Sequence, residues 1–548
     1  MEARFIVGPP GTGKTHTWLV KKYEECFSKY TPEKIILLSH TNVAVDQISD
    51  AILDLKEVKE KGYRRKFFKG RISTIHSYCK NKLMGNKTLF SNEDLTGLCI
   101  TENGKGFRQS NERDVEKHPV LRFIKEARGH ERGLEEHWNH PHTDKKKLLK
   151  SNYNLQDVYN LNRAYQEYKN DKENRLQDYA DMVDEFNSLT KESDVEVLIV
   201  DEAQDCNVPQ LGAIKKIAKN VKDDHFYLVG DPDQTIHEYA GSDAKWFHEK
   251  AAKPFLELEQ GLRCGRAINE LCKRIINPVW KHFKYEGGGR KWLPAVYNKK
   301  YHEIPEGCKE GDTIEGNIYR LADFRPSKTL DLLIDKMRNT KQSFIFSFRG
   351  TPSDKRVTDF LKHHGFEYAH IDKGNSAHVS KKELRCHFEW PKFIEGEPKS
   401  LTQIKDFHSY LGRKVIMHRK GEYDYKDWPK KDYSYDDLIT LGIFKPGAGK
   451  EFDLLITKQT DHDNRMIYIK KVIRNGFDPD GNIRIKYGNI HKVKGTTFDN
   501  VIGDLSTYRP EFEYAALRLL YTMFSRGIYD AWILNSSSGK ELGTYVRR

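Results

Sequence analysis

The chain has 548 residues, enough for about three to five domains of ordinary size. Lys and Arg number 93 against 80 Asp and Glu, a net charge of +13 that favours a polyanionic partner, nucleic acid ahead of a membrane surface. Eight cysteines stand singly at 26, 79, 99, 206, 264, 272, 308 and 386, which excludes C-x-x-C zinc and redox sites. No apolar run reaches the ~18 residues of a membrane span. The first motif begins at residue 8 and leaves no room for a signal peptide, so a soluble, cytoplasmic protein without a membrane partner is expected.

In chain order, the apolar run Phe5, Ile6, Val7 predicts a strand, and residues 8–15, GPPGTGKT, follow it and precede the helix-like stretch His16–Tyr30. This is the pattern GxxxxGK[ST]. The turn Gly8, Pro9, Pro10, Gly11, Thr12, Gly13 offers backbone N–H groups to phosphate oxygens. Lys14 can reach the β/γ phosphates and the Thr15 hydroxyl can take a magnesium position. ATP and Mg2+ are therefore the expected cofactors.

Further strands are expected at Ile35–Leu38 before Ser39-His40-Thr41, Val197–Val200 before Asp201-Glu202, and Phe226–Val229 before Gly230-Asp231. Helical spacing at Val43–Leu55 and Gln210–Val221 separates them, which is the signature of an open parallel α/β sheet with ligands at the carboxyl ends of its strands. A second series runs through Ser343–Phe348, a helix at Asp354–His364, Val501–Leu505 and Ala531–Leu534. Two segments, roughly 88–185 and 370–480, interrupt the pattern and read as inserted domains. The run LIVDEAQD at 198–205 ends an apolar strand in two carboxylates. Asp201 is suited to hold magnesium and Glu202 to polarise an attacking water.

With these motifs in place, others follow in a known order: SHTNVAVDQI (39–48), TIHSYC (74–79), DYADM (178–182), VGDPDQTIHEYAG (229–241), LEQGLRCGRAI (258–268), FSFRGTPSDKR (346–356), IHKVKGTTFD (490–499) and LLYTMFSRG (519–527). The chain resembles the superfamily 1 helicases, most closely the UvrD/Rep/PcrA family. That resemblance implies an α/β fold of two RecA-like P-loop motor domains, each with a parallel sheet, carrying two inserted accessory domains. The first motor domain would occupy 1–87 and 186–272, its insert 88–185, the second motor domain 273–369 and 480–548, and its insert 370–479.

It implies residue roles as well. Gln234 would sense the γ-phosphate, and Arg263 and Arg526 would act as arginine fingers, since a guanidinium stays charged and forks across phosphoryl oxygens. Thr41, Asn42, Thr74 and His76 would contact single-stranded nucleic acid from the first half, and Arg349 and His491 from the second. His237 and Tyr239 would bracket bases by stacking, with ordinary packing as the alternative.

Other features are open or bland. YRRKFFKGR (63–71) is either a phosphate-contacting surface or a solvated loop with two core phenylalanines, and LGIFKPGAGK (441–450) reads as a turn. The histidines at 130, 137, 140 and 142 lack metal-site spacing. The family's adenine-reading glutamine has no counterpart before Gly8, Thr497 stands where a glutamate is common, Tyr239 replaces a tryptophan and Ala240 an arginine. Weak base selectivity and altered coupling between sites are expected. The function implied is an ATP-dependent helicase that translocates on single-stranded DNA 3′ to 5′ and opens duplexes at single/double-strand junctions. An RNA-directed helicase and an ATP-switched clamp that never unwinds are the alternatives.

Overall fold

The computed structural model describes residues 2–83, 87–91, 93–95, 98, 118–141, 143, 145–150, 152–171, 174–190, 193–222, 224–242, 244–285, 289–349, 351–371, 379–412, 415–417, 425, 428–449, 462–505 and 513–534. They form two compact units: Met1–Ile314 with Phe512–Ser525, and Glu315–Glu511 with Arg526–Arg548.

The first unit is built on six parallel strands, β1 (Arg4–Val7), β2 (Ile35–Ser39), β3 (Ile72–Thr74), β6 (Val197–Val200), β7 (Phe226–Gly230) and β8 (Leu256–Glu257), in the spatial order β3-β2-β6-β7-β1-β8. A two-residue parallel pair, β4 (Thr88–Leu89) and β5 (Leu176–Gln177), lies apart from it. Because successive strand side chains point to opposite faces, the apolar runs divide between two cores. Phe5, Val7, Ile36, Leu38, Leu198, Val200 and Leu228 pack on one side, and Ile6, Ile35, Leu37, Val197, Ile199 and Val229 on the other. These strands are buried on both faces and so lack polar alternation.

The second unit repeats the plan with β9 (Ile318–Leu321), β10 (Phe344–Phe348), β11 (Tyr368–His370), β14 (Ile485–Asn489), β15 (Phe498–Asp504) and β16 (Gly527–Leu534), all parallel, in the order β11-β14-β10-β15-β16-β9. Phe344, Phe346, Tyr487, Ile502 and Trp532 centre its core. A short antiparallel pair, β12 (Lys399–Ser400) with β13 (Asp432–Tyr433), belongs to this unit. The molecule is thus α/β with two six-stranded parallel sheets.

Each unit also carries a separate hydrophobic cluster. In the first it gathers Phe90, Leu121, Phe123, Leu161 and Tyr165, and in the second Trp390, Phe393, Phe407, Leu438 and Phe444. No helix among the described residues is long and apolar enough to cross a membrane.

Expected and observed elements differ at their edges. The helix expected from His16 to Tyr30 opens instead as a π-helical turn, Lys14–Leu19, and becomes α-helical only over Val20–Phe27. The helices expected at Val43–Leu55 and Gln210–Val221 are Asn42–Leu53, capped by the Thr41 side chain, and Val208–Ala218, opened by an Asn207/Gln210 capping box. Part of the first insert, His142, the end of the 441–450 turn and the segment around Cys99 lie outside the described residues, as does the Tyr239 side chain.

Candidate nucleotide site and nucleic-acid track

β1 lies between β7 and β8, with β6 beyond β7, so the segments leaving β1, β6 and β7 emerge at one edge of the sheet. The Gly8–Thr15 loop leaves β1 there. Gly8 N–H donates to the Gly230 carbonyl at 3.3 Å, and the Thr12 hydroxyl closes the turn on the Pro9 carbonyl at 2.9 Å. Gly8, Pro9 and Pro10 are buried. Gly11 and Gly13 sit at φ 72° and 79°. A Cβ on Gly11 would also stand 2.4 Å from Cβ of Arg263, so glycine is demanded there by both conformation and space. The Gly13 carbonyl accepts from Thr17 and Trp18 N–H, both at 2.9 Å, which winds the turn after it as a π-helix.

Lys14 is buried, and its ammonium donates to the carbonyls of Gly8 at 2.6 Å and Pro9 at 3.1 Å. Burial lowers its pKa against the opposing pull of Asp231, Glu202 and Asp201. Three carboxylates from two neighbouring strand ends therefore surround one ammonium. The Thr15 hydroxyl donates to Oδ2 of Asp201 at 3.1 Å, while Oδ1 of Asp201 is buried without a hydrogen-bond partner among the described residues. Burial first, then the adjacent Glu202, raises the Asp201 carboxyl to about 7. A hydroxyl paired with a buried carboxylate that has an orphaned oxygen is a hard-oxygen donor set, which fits a magnesium ion. Thr15 and Asp201 are the side chains that would hold the ion.

Glu202 occupies the left-handed region at φ 51°, unusual for a residue with a side chain. Its carboxylate accepts from Nε2 of Gln204, whose Oε1 in turn accepts the Asp231 N–H at 3.2 Å. After β7, Asp231 Oδ2 accepts Nε2 of Gln234 at 2.8 Å and the Tyr521 hydroxyl at 3.2 Å. Arg263, beyond β8, approaches the loop from the other side. Leu262 N–H donates to the Gly11 carbonyl at 2.6 Å, and Nη1 of Arg263 donates to the Ser525 carbonyl at 3.4 Å. Burial lowers the Arg263 pKa, with Cys264 and Glu202 opposing.

The expected track residues leave β2 and β3. Thr41 and Asn42 are exposed at the start of their helix, and Thr41 Oγ1 accepts Ala44 N–H at 3.2 Å. Thr74 caps the next helix, accepting Ser77 N–H at 3.2 Å. His76 lies 3.3 Å from the Gln210 amide and 5.0 Å from the Tyr179 ring centroid. Burial lowers its pKa to about 4, so at neutral pH it offers a neutral ring rather than a charge. His237 stacks on His40 at 5.7 Å with 21° between the planes. Tyr239 lies in the short turn Glu238–Ala240.

In the second unit β10 and β14 are neighbours, and Arg349 and His491 follow them. Asn489 joins the two, donating to the Arg349 carbonyl at 2.6 Å and pairing with Nδ1 of His491 at 2.8 Å. Nη1 of Arg349 is buried without a hydrogen-bond partner among the described residues. Arg526 belongs to this unit, is 2% exposed and immediately precedes β16.

The basic-aromatic run 63–71 is divided between packing and surface, with Arg64, Lys66 and Lys69 exposed. Phe68 is core, Arg65 pairs with Asp46 and Asp50, and Arg71 lies over the Phe67 ring and bonds its carbonyl. Residues that sequence reasoning quoted but gave no role are Gln204, Asp231 and Tyr521, all inside the motif runs. Arg518 lies just outside them, and its neighbours in LRLLYTMF carry no local signal for it.

A GxxxxGK[ST] loop, an acidic strand end and a buried polar segment are thus gathered at one edge of a parallel α/β sheet. Residues 2–254 match the model of the UvrD/REP helicase N-terminal domain. Arg263, Arg349, His491 and Arg526 lie beyond the match. A probable DNA helicase II homolog from Mycoplasma capricolum subsp. capricolum is 25% identical over 263 residues, covering 43% of this chain and 33% of the relative. The RecB subunit of the RecBCD enzyme of Buchnera aphidicola subsp. Schizaphis graminum is 30% identical over 166 residues, covering 26% of this chain and 14% of that protein. The alignments therefore span a third or less of the curated relatives' length.

Proposed function

We propose that the protein is an ATP-hydrolysing DNA helicase that moves on single-stranded DNA 3′ to 5′ and separates strands at single/double-strand junctions. One observation carries the reading: the Thr15 hydroxyl of the loop bonds Asp201, and Asp201, Glu202 and Asp231, from two neighbouring strand ends, act on the buried Lys14 ammonium of the same loop. In this reading the Gly8–Thr15 loop binds the phosphates, and Lys14 exchanges its bonds to the Gly8 and Pro9 carbonyls for phosphate oxygens. Thr15 and Asp201 hold magnesium, which when bound neutralises charge on the β and γ phosphates. Glu202 orients and deprotonates the attacking water, and Gln234 reads the γ-phosphate. Arg263 and Arg526 add positive charge in the transition state.

Thr41, Asn42, Thr74, His76, Arg349 and His491 line the strand path, with His237 and Tyr239 as stacking partners. The helicase match, the names of the relatives and the +13 charge support DNA as substrate. The separate clusters around Phe123 and Phe393 support two motor domains with one insert each.

Two measurements test the reading. Glu202→Gln should cut DNA-stimulated ATP turnover by about 10²-fold or more while the fold persists. Strand displacement on substrates with a 3′ tail, a 5′ tail or RNA in either strand should favour the 3′-tailed DNA. Near-parental hydrolysis by a folded Glu202→Gln protein refutes the catalytic assignment, and preference for a 5′ tail or for RNA refutes the polarity or the substrate.

A further inference from the structure

The helix Glu513–Phe524 lies late in the chain, yet it belongs to the first unit and packs against the helix Arg266–His282. Arg518 and Tyr521, three positions apart on it, point to one side and are 3% and 0% exposed. Both reach the segment that follows β7. The Tyr521 hydroxyl donates to Asp231 Oδ2, the same oxygen that accepts Nε2 of Gln234. Arg518 Nε donates to the Thr235 carbonyl at 3.1 Å, and its Nη2 pairs with Glu238. Asp231 Oδ1 is itself committed, accepting Asp233 N–H at 3.1 Å. The Gln234 amide therefore takes its direction from a carboxylate fixed at one end by its own turn and at the other by Tyr521. Downstream, the backbone leading to His237 is gripped by Arg518.

We propose that Tyr521 and Arg518 are positioning residues. Through Asp231 they hold Gln234 in its sensing geometry, and through Thr235 and Glu238 they tie that geometry to the backbone at His237. Neither touches the nucleotide. The inference rests on the reading of Gln234 as the γ-phosphate sensor, and the experiment separates the two.

Four full-chain variants suffice: Tyr521→Phe, Arg518→Lys, Gln234→Ala and the double Tyr521→Phe/Gln234→Ala. For each, kcat and KM for ATP are measured with and without saturating oligo-dT, together with the thermal midpoint. Tyr521→Phe keeps the ring and removes one hydrogen bond to a carboxylate. It should lower the stimulated kcat by about 3- to 10-fold and leave KM within about two-fold. The double variant should turn over no more slowly than Gln234→Ala, because the hydroxyl acts only through the group already removed. Arg518→Lys, which keeps charge but not the fork, should retain unstimulated turnover and lose part of the oligonucleotide stimulation.

A purely structural tyrosine would lower the thermal midpoint without moving kcat, or would multiply its effect with that of Gln234→Ala; either result overturns the proposal. If Gln234→Ala is impaired and Tyr521→Phe is not, this inference alone fails. If Gln234→Ala retains parental stimulated turnover, the sensor reading fails and takes this one with it.

Discussion

The helix Pro119–Gly129 ends against the turn that follows His237, and Gly129 is where the two backbones meet. A Cβ at Gly129 would lie 2.3 Å from the Ala240 carbonyl oxygen and 3.1 Å from its carbon, both backbone atoms. A tolerable carbon–oxygen contact is about 3.3 Å, so Gly129→Ala forces the two segments apart by about 1 Å. The helix has little freedom to yield, because Arg128 beside it binds Asp178, Asp181 and Asp184. Overpacking of this kind costs about 1–3 kcal/mol, whereas alanine in place of a helical glycine gains at most about 1 kcal/mol. The expected outcome is a net loss of up to about 2 kcal/mol, read as a lower urea midpoint at unchanged slope. Oligonucleotide stimulation of ATP hydrolysis should weaken as well, since the displaced turn carries Glu238 and Tyr239 directly after His237. A Gly129→Ala protein more stable than the parent, with unchanged stimulation, would show that helix propensity acts unopposed and that the contact carries no load.

Lys169, 1% exposed at its side chain, bonds Asp178 at 2.8 Å and Asp181 at 2.7 Å, so Lys169→Met should destabilise by about 2–4 kcal/mol in urea denaturation. Burial alone raises the Asp178 carboxyl, but Lys169 and Arg128 outweigh it and hold it at about 2. Because this folded value lies below the unfolded one, the stabilisation is full above about pH 4 and fades as pH falls toward 2. Lys169→Met should flatten that acid limb, and an unchanged limb would contradict the pairing. His237→Ala should weaken oligonucleotide binding by about 1–3 kcal/mol while leaving the salt slope unchanged, because stacking releases no counterions; fluorescence titration at several salt concentrations separates the two effects. Thr15→Ala should raise the magnesium concentration needed for half-maximal hydrolysis, and a parental magnesium titration would remove Thr15 from the ion's shell.

What the sequence made legible follows from how each signal is encoded. β1, β2, β6 and β7 carry continuous apolar runs because both faces of their sheet are covered, and they stand out unaided. β14, with sequence IKYGN, is an interior strand next to the edge strand β11 yet carries a lysine and a glycine, and β8 has only two residues; neither shows a run. Lys14, Thr15, Asp201 and Glu202 are readable because each sits beside the strand that positions it. The Tyr521–Asp231 bond joins residues 290 positions apart, and no local pattern announces such a partner. Likewise, the π-helical turn after Gly13 is set by one carbonyl taking two donors, a detail of geometry that residue types leave open.

The late placement of the helix Glu513–Phe524 bears on how the protein is made. A ribosome finishes Ile314 and then adds about 200 residues before that helix exists, roughly 10–40 s at ordinary elongation rates. Throughout that interval the first unit lacks a wall. Cys272 and Trp292, which meet Tyr521 in the finished molecule, have no covering helix, and Asp231 lacks the hydroxyl that donates to it. The nascent first unit therefore exposes that apolar surface until the helix is synthesised. A chain stopped before residue 513 keeps residues 8–15 but lacks the Tyr521 and Arg518 contacts to the segment that follows β7.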